Sequence, residues 1–146
     1  MTRFIFSVPV FLTLIAAAPA AAVDFTINIP VTLENMPAAR RVEVNCTAQR
    51  TADGSTEPGS IVGSGSGSAA VSDGRFSGTI TVAFNASASA PPGLARSYSC
   101  IIMVHGIASD GRAFFSSYNG LADAWVAATG QRITVEPTWV SGRLVP

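Results

Sequence analysis

RVEVNCTAQ, residues 41–49, decides the fold class of this chain. Val42, Val44, Cys46 and Ala48 share one parity, while Arg41, Glu43, Asn45, Thr47 and Gln49 share the other. Alternation with period two marks a strand with one face in an apolar core and one in water, because successive side chains leave opposite faces of a sheet. Cys46 therefore faces the core. SYSCIIMVH, residues 97–105, alternates in the same way and places Tyr98, Cys100, Ile102 and Val104 inward. In FTINIPVTL, residues 25–33, Phe25, Ile27, Ile29, Val31 and Leu33 take the inward parity. Pro30 sits on the polar parity and has no N–H to donate, which predicts an edge strand or a bend there.

The segments between these strands are read from their turn chemistry. Residues 51–68 are polar and rich in Gly and Ser, ending in GSGSGS at 63–68, and predict a long loop or a weak edge strand around Ile61 and Val62. Residues 69–85 predict a hairpin: a short strand to Val71, an Asp73-Gly74 turn, then Phe76, Gly78, Ile80, Val82 and Phe84 alternating. Pro91-Pro92 stops regular structure before the Cys100 strand. Ser109-Asp110-Gly111-Arg112 repeats the Ser72-Asp73-Gly74-Arg75 turn, which predicts the same hairpin chemistry used twice. Leu121, Ala122, Trp125 and Ala128 fall at helical spacing, so one short helical turn is expected near 120–129. Ile133 and Val135 resume a strand, Pro137 interrupts it, and Trp139–Val145 forms a last edge segment.

The start of the chain reads as an export signal. Arg3 supplies a positive charge, Phe4–Ala17 a mostly apolar run, and the small residues around Ala20 and Ala22 two cleavage positions. Pro9, Pro19 and the small-residue tail argue against an uncleaved membrane anchor. Residues 1–22 are thus a signal peptide and 23–146 one domain, placed in the periplasm or outside the cell. No stable membrane span is expected after cleavage. Thiols oxidise in those compartments, and Cys46 and Cys100, the only two cysteines, have one possible intramolecular pairing. All nine cationic residues are arginines; loss of Arg3 leaves eight against nine carboxylates. That near-neutral balance carries no electrostatic footprint for nucleic acid or an anionic membrane.

Several short strands, regular turn signals and two inward cysteines predict an all-β, two-layer antiparallel β-sandwich. Val42-x-Val44-x-Cys46 and Tyr98-x-Cys100-x-Ile102-x-Val104 resemble the B and F strands of the immunoglobulin-like fold. That resemblance implies a cystine crossing from one layer to the other. It also implies a tyrosine corner in which the Tyr98 hydroxyl reaches backbone at the preceding turn. The chain departs from the pattern in having no Trp shortly after Cys46 and in a 51–60 segment unlike a C strand.

The chemistry-bearing residues are few. His105 is the sole histidine, so every Ser-His-Asp, Cys-His or two-histidine metal arrangement depends on one position near a strand end. Asp53, Asp73 and Asp110 stand in Asp-Gly turns, and Glu34, Glu43 and Glu136 on polar strand faces, where structural roles account for them. The sequence predicts no catalytic residue, no metal and no cofactor, and hence no enzyme. The late aromatic residues Phe114, Phe115, Tyr118, Trp125 and Trp139 are expected to close the core or cap one end of the sandwich, with a sharper reading open for two of them. Tyr118 and Trp125, on a segment that breaks the strand pattern, are the expected contacts to a partner, another envelope or extracellular protein. The expected function is therefore protein or surface binding in the bacterial envelope. A structural subunit of a fimbria-like assembly, donating the 25–33 strand to a neighbour, is the alternative; a histidine-poor hydrolase is the third reading.

Overall fold

The chain folds into two antiparallel sheets packed face to face, seen in a computed structural model that describes residues 22–53, 57, 59–107, 111, 113–117, 134–137 and 139–144. The described strands are β1 (Phe25–Glu34), β2 (Ala39–Gln49), β3 (Ile61–Ala70), β4 (Phe76–Phe84), β5 (Ser97–Ile107), β6 (Ala113–Ser117), β7 (Thr134–Glu136) and β8 (Trp139–Arg143). One layer has the order β4-β1-β7. The other runs β3-β2-β5-β6, with β8 also on β5. Along the free edge of β5, β8 covers Ser97–Ile101 and β6 covers Met103–Ile107. Most of the signal segment and the predicted helical turn at 120–129 lie outside the described residues, and no described helix is long and apolar enough to cross a membrane.

Alternation in the sequence becomes alternation in burial. Ile29, Val31 and Leu33 of β1 and Val42, Val44 and Cys46 of β2 are at most 1% exposed. Together with Ile80 and Val82 of β4 and Ile102 and Val104 of β5 they form one continuous core. Pro30 opposes Thr79 of β4, and β7 joins the far side of β1 only from Thr32 onward. β1 is thus the middle strand of its layer and not the edge strand that Pro30 suggested, although among the described strands its β7 side is open at Pro30.

The cysteines do pair, but within a layer. Cys46 of β2 and Cys100 of β5 stand directly opposite each other in one ladder, 4.1 Å apart at Cα, and form a disulfide. An immunoglobulin-type cystine links strands of different sheets, so the implied layer-crossing staple is corrected to a cross-strand one. The separation fits a non-hydrogen-bonded pair of an antiparallel ladder, where side chains of facing residues come closest. The expected tyrosine corner changes as well. The Tyr98 ring lies over Gly142 of β8, so close that a Cβ added there would stand 2.6 Å from Tyr98 Cε1. An aromatic ring thus covers the glycine of its neighbouring strand.

Of the two readings of 51–68, the edge strand holds and extends past Ile61 and Val62: GSGSGS is the body of β3, an edge strand paired with β2 from Ala70 back to Gly63. The segments flanking Asp73-Gly74 do not make the expected hairpin, since β3 pairs with β2 and β4 pairs with β1 in the other layer. The turn itself is as predicted, with Asp73 at φ 51° and Gly74 at φ 71° closing one bridge between Ser72 and Arg75. Beyond that bridge the two strands diverge into different layers. The reason is shape: the inward positions of β3 are Gly63, Gly65 and Gly67, and β4 lies almost on its backbone. A Cβ at Gly65 would stand 2.6 Å from Phe84 Cβ, and one at Gly63 would stand 2.7 Å from the Asn85 carbonyl oxygen. Phe84, stacked at 5.1 Å on Phe25, fills the volume the glycines leave. The Ser87 amide donates to the Val62 carbonyl at 2.8 Å, which seals this corner and covers the outer edge of β3. A bulge between Ala48 and Gln49 shifts the register, so Val62 and Gly63 are both buried while Ile61 is exposed.

Removing the cross-strand disulfide with Cys46→Ala and Cys100→Ala opens a loop with a sequence separation of 54. By the chain-entropy estimate this costs about 4 kcal/mol. The urea midpoint is expected to fall accordingly, and an unchanged midpoint would contradict that role for the bridge. Gly65→Val is expected to cost about 1–3 kcal/mol through overpacking against Phe84, while Ser66→Val on the outer face stays within about 0.5 kcal/mol. Equal effects in the two variants would contradict the close approach.

Candidate functional site

The outer face of the larger sheet is a grid of cross-strand rows fixed by the ladder registers. At its centre Trp139, Ile101, Asn45 and Ser66 stand in one row across β8, β5, β2 and β3. The row on one side is Ser141, Ser99, Thr47 and Ser64. On the other side come Met103, Glu43 and Ser68, then His105, Arg41 and Ala70. The face is thus largely a hydroxyl and amide surface with one apolar patch, a charged end at Arg41, Glu43 and His105, and Arg143 exposed beyond Ser141 at the other end.

Trp139 is the exception on this surface. Its side chain is 62% exposed, beside Ile101 at 40%. It therefore does not close the core, as the sequence reading had it. The residues on its inward parity, Val140 and Leu144, pack against the core instead. Trp139 and Ile101 form one wall of a shallow groove of about 240 Å³ whose floor is Asn45, Thr47 and Ser99. Asn45 Nδ2 donates to Met103 Sδ at 3.0 Å, which fixes the amide and leaves Oδ1 without a partner among the described residues. Gln49 Nε2 donates to Ser99 Oγ at 2.8 Å, so the Ser99 hydroxyl keeps its own proton to give. Thr47 makes no side-chain hydrogen bond among the described residues.

Gln49 is wholly buried although it lies on the polar parity. Ser97 Oγ, with a single proton, stands 2.6 Å from the Thr51 carbonyl and 3.2 Å from Gln49 Oε1. The proton goes to the nearer acceptor. With the Ser99 contact this makes a polar cluster, buried at Gln49 and Ser97 and reaching the surface at Ser99, that holds the end of β2 on β5. A second, smaller depression of about 160 Å³ lies beyond it, against Tyr98, Gly142 and Arg143.

The charged end is internally matched. Glu43 Oε2 lies 3.0 Å from Arg41 Nη2 and 3.1 Å from His105 Nε2. Arg41 Nη2 is 3.4 Å from both ring nitrogens of His105, so the guanidinium rests against the ring and does not point at one lone pair. Solvent reaches these groups, and each pair contributes at most about 1 kcal/mol. His105 therefore sits on the outer sheet face, mostly buried, with Nε2 engaged by a carboxylate. Both cysteines are held in the disulfide, which removes any thiol nucleophile. Among the described residues no group of three or more His, Cys, Asp or Glu could hold a metal ion.

The sequence-based partner contacts, Tyr118 and Trp125, lie outside the described residues, as does Ala20; Ala22 is exposed just before β1. Trp139 was available from the sequence by another route. In WVSGRL, residues 139–144, Trp139 shares its parity with Ser141 and Arg143, and Val140 shares its own with Leu144. A tryptophan on the polar parity of an alternating strand points outward.

Trp139→Ala is expected to leave stability within about 0.5 kcal/mol, whereas Ile102→Ala, fully buried one position along from Ile101, costs about 2–5 kcal/mol. Urea unfolding of the two variants checks this, and a large loss in Trp139→Ala would return the indole to a structural role. No protein-family model matches the chain, and no curated protein or solved structure matches it.

Proposed function

We propose that this chain is an exported, non-enzymatic β-sandwich domain that binds at the bacterial envelope, with the outer face of the β3-β2-β5 sheet as its contact surface. The observation that carries this reading is the exposed Trp139 beside Ile101 over a groove floored by the small polar groups of Asn45, Thr47 and Ser99. A large exposed aromatic side chain forgoes burial, and at binding surfaces such residues supply much of the contact energy. The export signal read from the sequence and the disulfide support an address outside the cytoplasm. The only histidine lies mostly buried against Glu43, away from the groove, which supports the non-enzymatic part.

The fimbria-like alternative needs the 25–33 strand to pair with a neighbouring molecule. In this chain that strand pairs along its length with β4, from Phe25 opposite Phe84 to Leu33 opposite Phe76. Polymer ladders on unboiled gels would support the alternative, and a monomeric mature protein would remove it.

Labelled mature protein is expected to be retained on the isolated envelope of the producing cell and to lose most of that retention in Trp139→Ala. Equal retention of the two proteins would overturn the assignment of this face.

A further inference from the structure

From the chemistry of the Trp139 groove, we infer that its ligand is a neutral glycan, one pyranose ring of which lies on the indole with its hydroxyls turned to Asn45, Thr47 and Ser99. This deepens, and rests on, the reading of that face as the binding surface. The groove asks for an amphipathic ligand. One wall is flat and apolar, built of Trp139 and Ile101, and the floor carries three neutral polar side chains. The free capacity of that floor is mixed: Asn45 Oδ1 accepts, the Ser99 hydroxyl donates, and the Thr47 hydroxyl does either. A sugar ring offers the complement, with C–H bonds on one face and hydroxyls that donate and accept around the rim.

Charge favours the same class of ligand. Among the described residues no formally charged side chain lines the groove. On the neighbouring rows Glu43 already holds Arg41 and His105. Arg143 is exposed on the far side of the Ser141 row, outside the groove; an ionic ligand seated on the indole would lose hydration and meet no opposite charge among the described lining residues. Size argues against a protein partner as the principal ligand. Stable protein interfaces bury roughly 1,200–2,000 Å² around a cluster of apolar anchors. Here the exposed large apolar side chains that meet at the site are Trp139 and Ile101 alone, among the described residues. At about 240 Å³ the groove is open and small, suited to one ring of a longer chain lying across the sheet.

The test is isothermal titration of the oxidised mature protein with neutral hexasaccharides of glucose, N-acetylglucosamine and xylose, alongside an oligogalacturonate as the charged probe. At least one neutral hexasaccharide is expected to bind with an affinity insensitive to salt. Trp139→Ala should weaken that binding at least tenfold, Trp139→Phe less, and Asn45→Ala and Thr47→Val each several-fold. Ile107→Ala, exposed at the far end of β5, should leave it unchanged. Absence of binding by every neutral probe, preference for the charged one, or equal affinity in Trp139→Ala would overturn the inference. If no glycan binds while Trp139→Ala still abolishes envelope retention, the glycan inference falls and the binding face stands. If Trp139→Ala changes neither measurement, both fall.

Discussion

Antiparallel pairing of β2 with β5, bonded covalently where Cys46 faces Cys100, is the constraint on which the rest of this molecule depends. With β5 held in place, a one-residue slip of β2 in that ladder would turn Val42 and Val44 to water and bring Glu43 and Asn45 into the core. The disulfide forbids the slip. It also carries the register outward, because β3 is aligned on β2 and both β6 and β8 on β5. Trp139 reaches the same row as Ile101 and Asn45 only through that chain of alignments.

The second layer attaches by shape. Three inward glycines on β3 let β4 approach far closer than the usual spacing of about 10 Å between stacked sheets, and Phe84 fills the space they open. The two layers converge at this edge and are held further apart elsewhere by Leu, Ile and Val. Gly74 serves the turn between them in a related way. Its positive φ suits the turn, and an added Cβ would stand 2.6 Å from the Met36 carbonyl carbon and the Pro37 nitrogen. Glycine here gives access for other backbones.

This explains what was legible in the sequence and what was not. Strands whose apolar parity meets a full apolar layer, β1, β2 and β5, could be read from alternation alone, down to the inward cysteines. β3 was legible only at Ile61 and Val62, because glycine has low strand propensity and the value of its glycines lies in a neighbour that only the fold supplies. The Asp73-Gly74 turn was legible as chemistry, yet turn chemistry fixes two residues and not the partners of the strands beyond them. Layer assignment was misread for the same reason. Inward-facing cysteines are compatible with pairing across layers or along one ladder, and alternation does not distinguish them. At the candidate site, the outward parity of Asn45, Thr47 and Ser99 was evident in the sequence, but their meeting with Trp139 required the β5–β8 register.

The most direct test of this account is the nuclear Overhauser contact between the α-protons of Cys46 and Cys100 in the oxidised mature protein. Facing residues of a non-hydrogen-bonded antiparallel pair bring their α-protons close together. A strong cross-peak, with a companion between Val44 and Ile102, is the predicted result. A Cys46–Cys100 disulfide without these cross-peaks would place β2 and β5 in different layers and dissolve the surface on which Trp139, Ile101 and Asn45 meet.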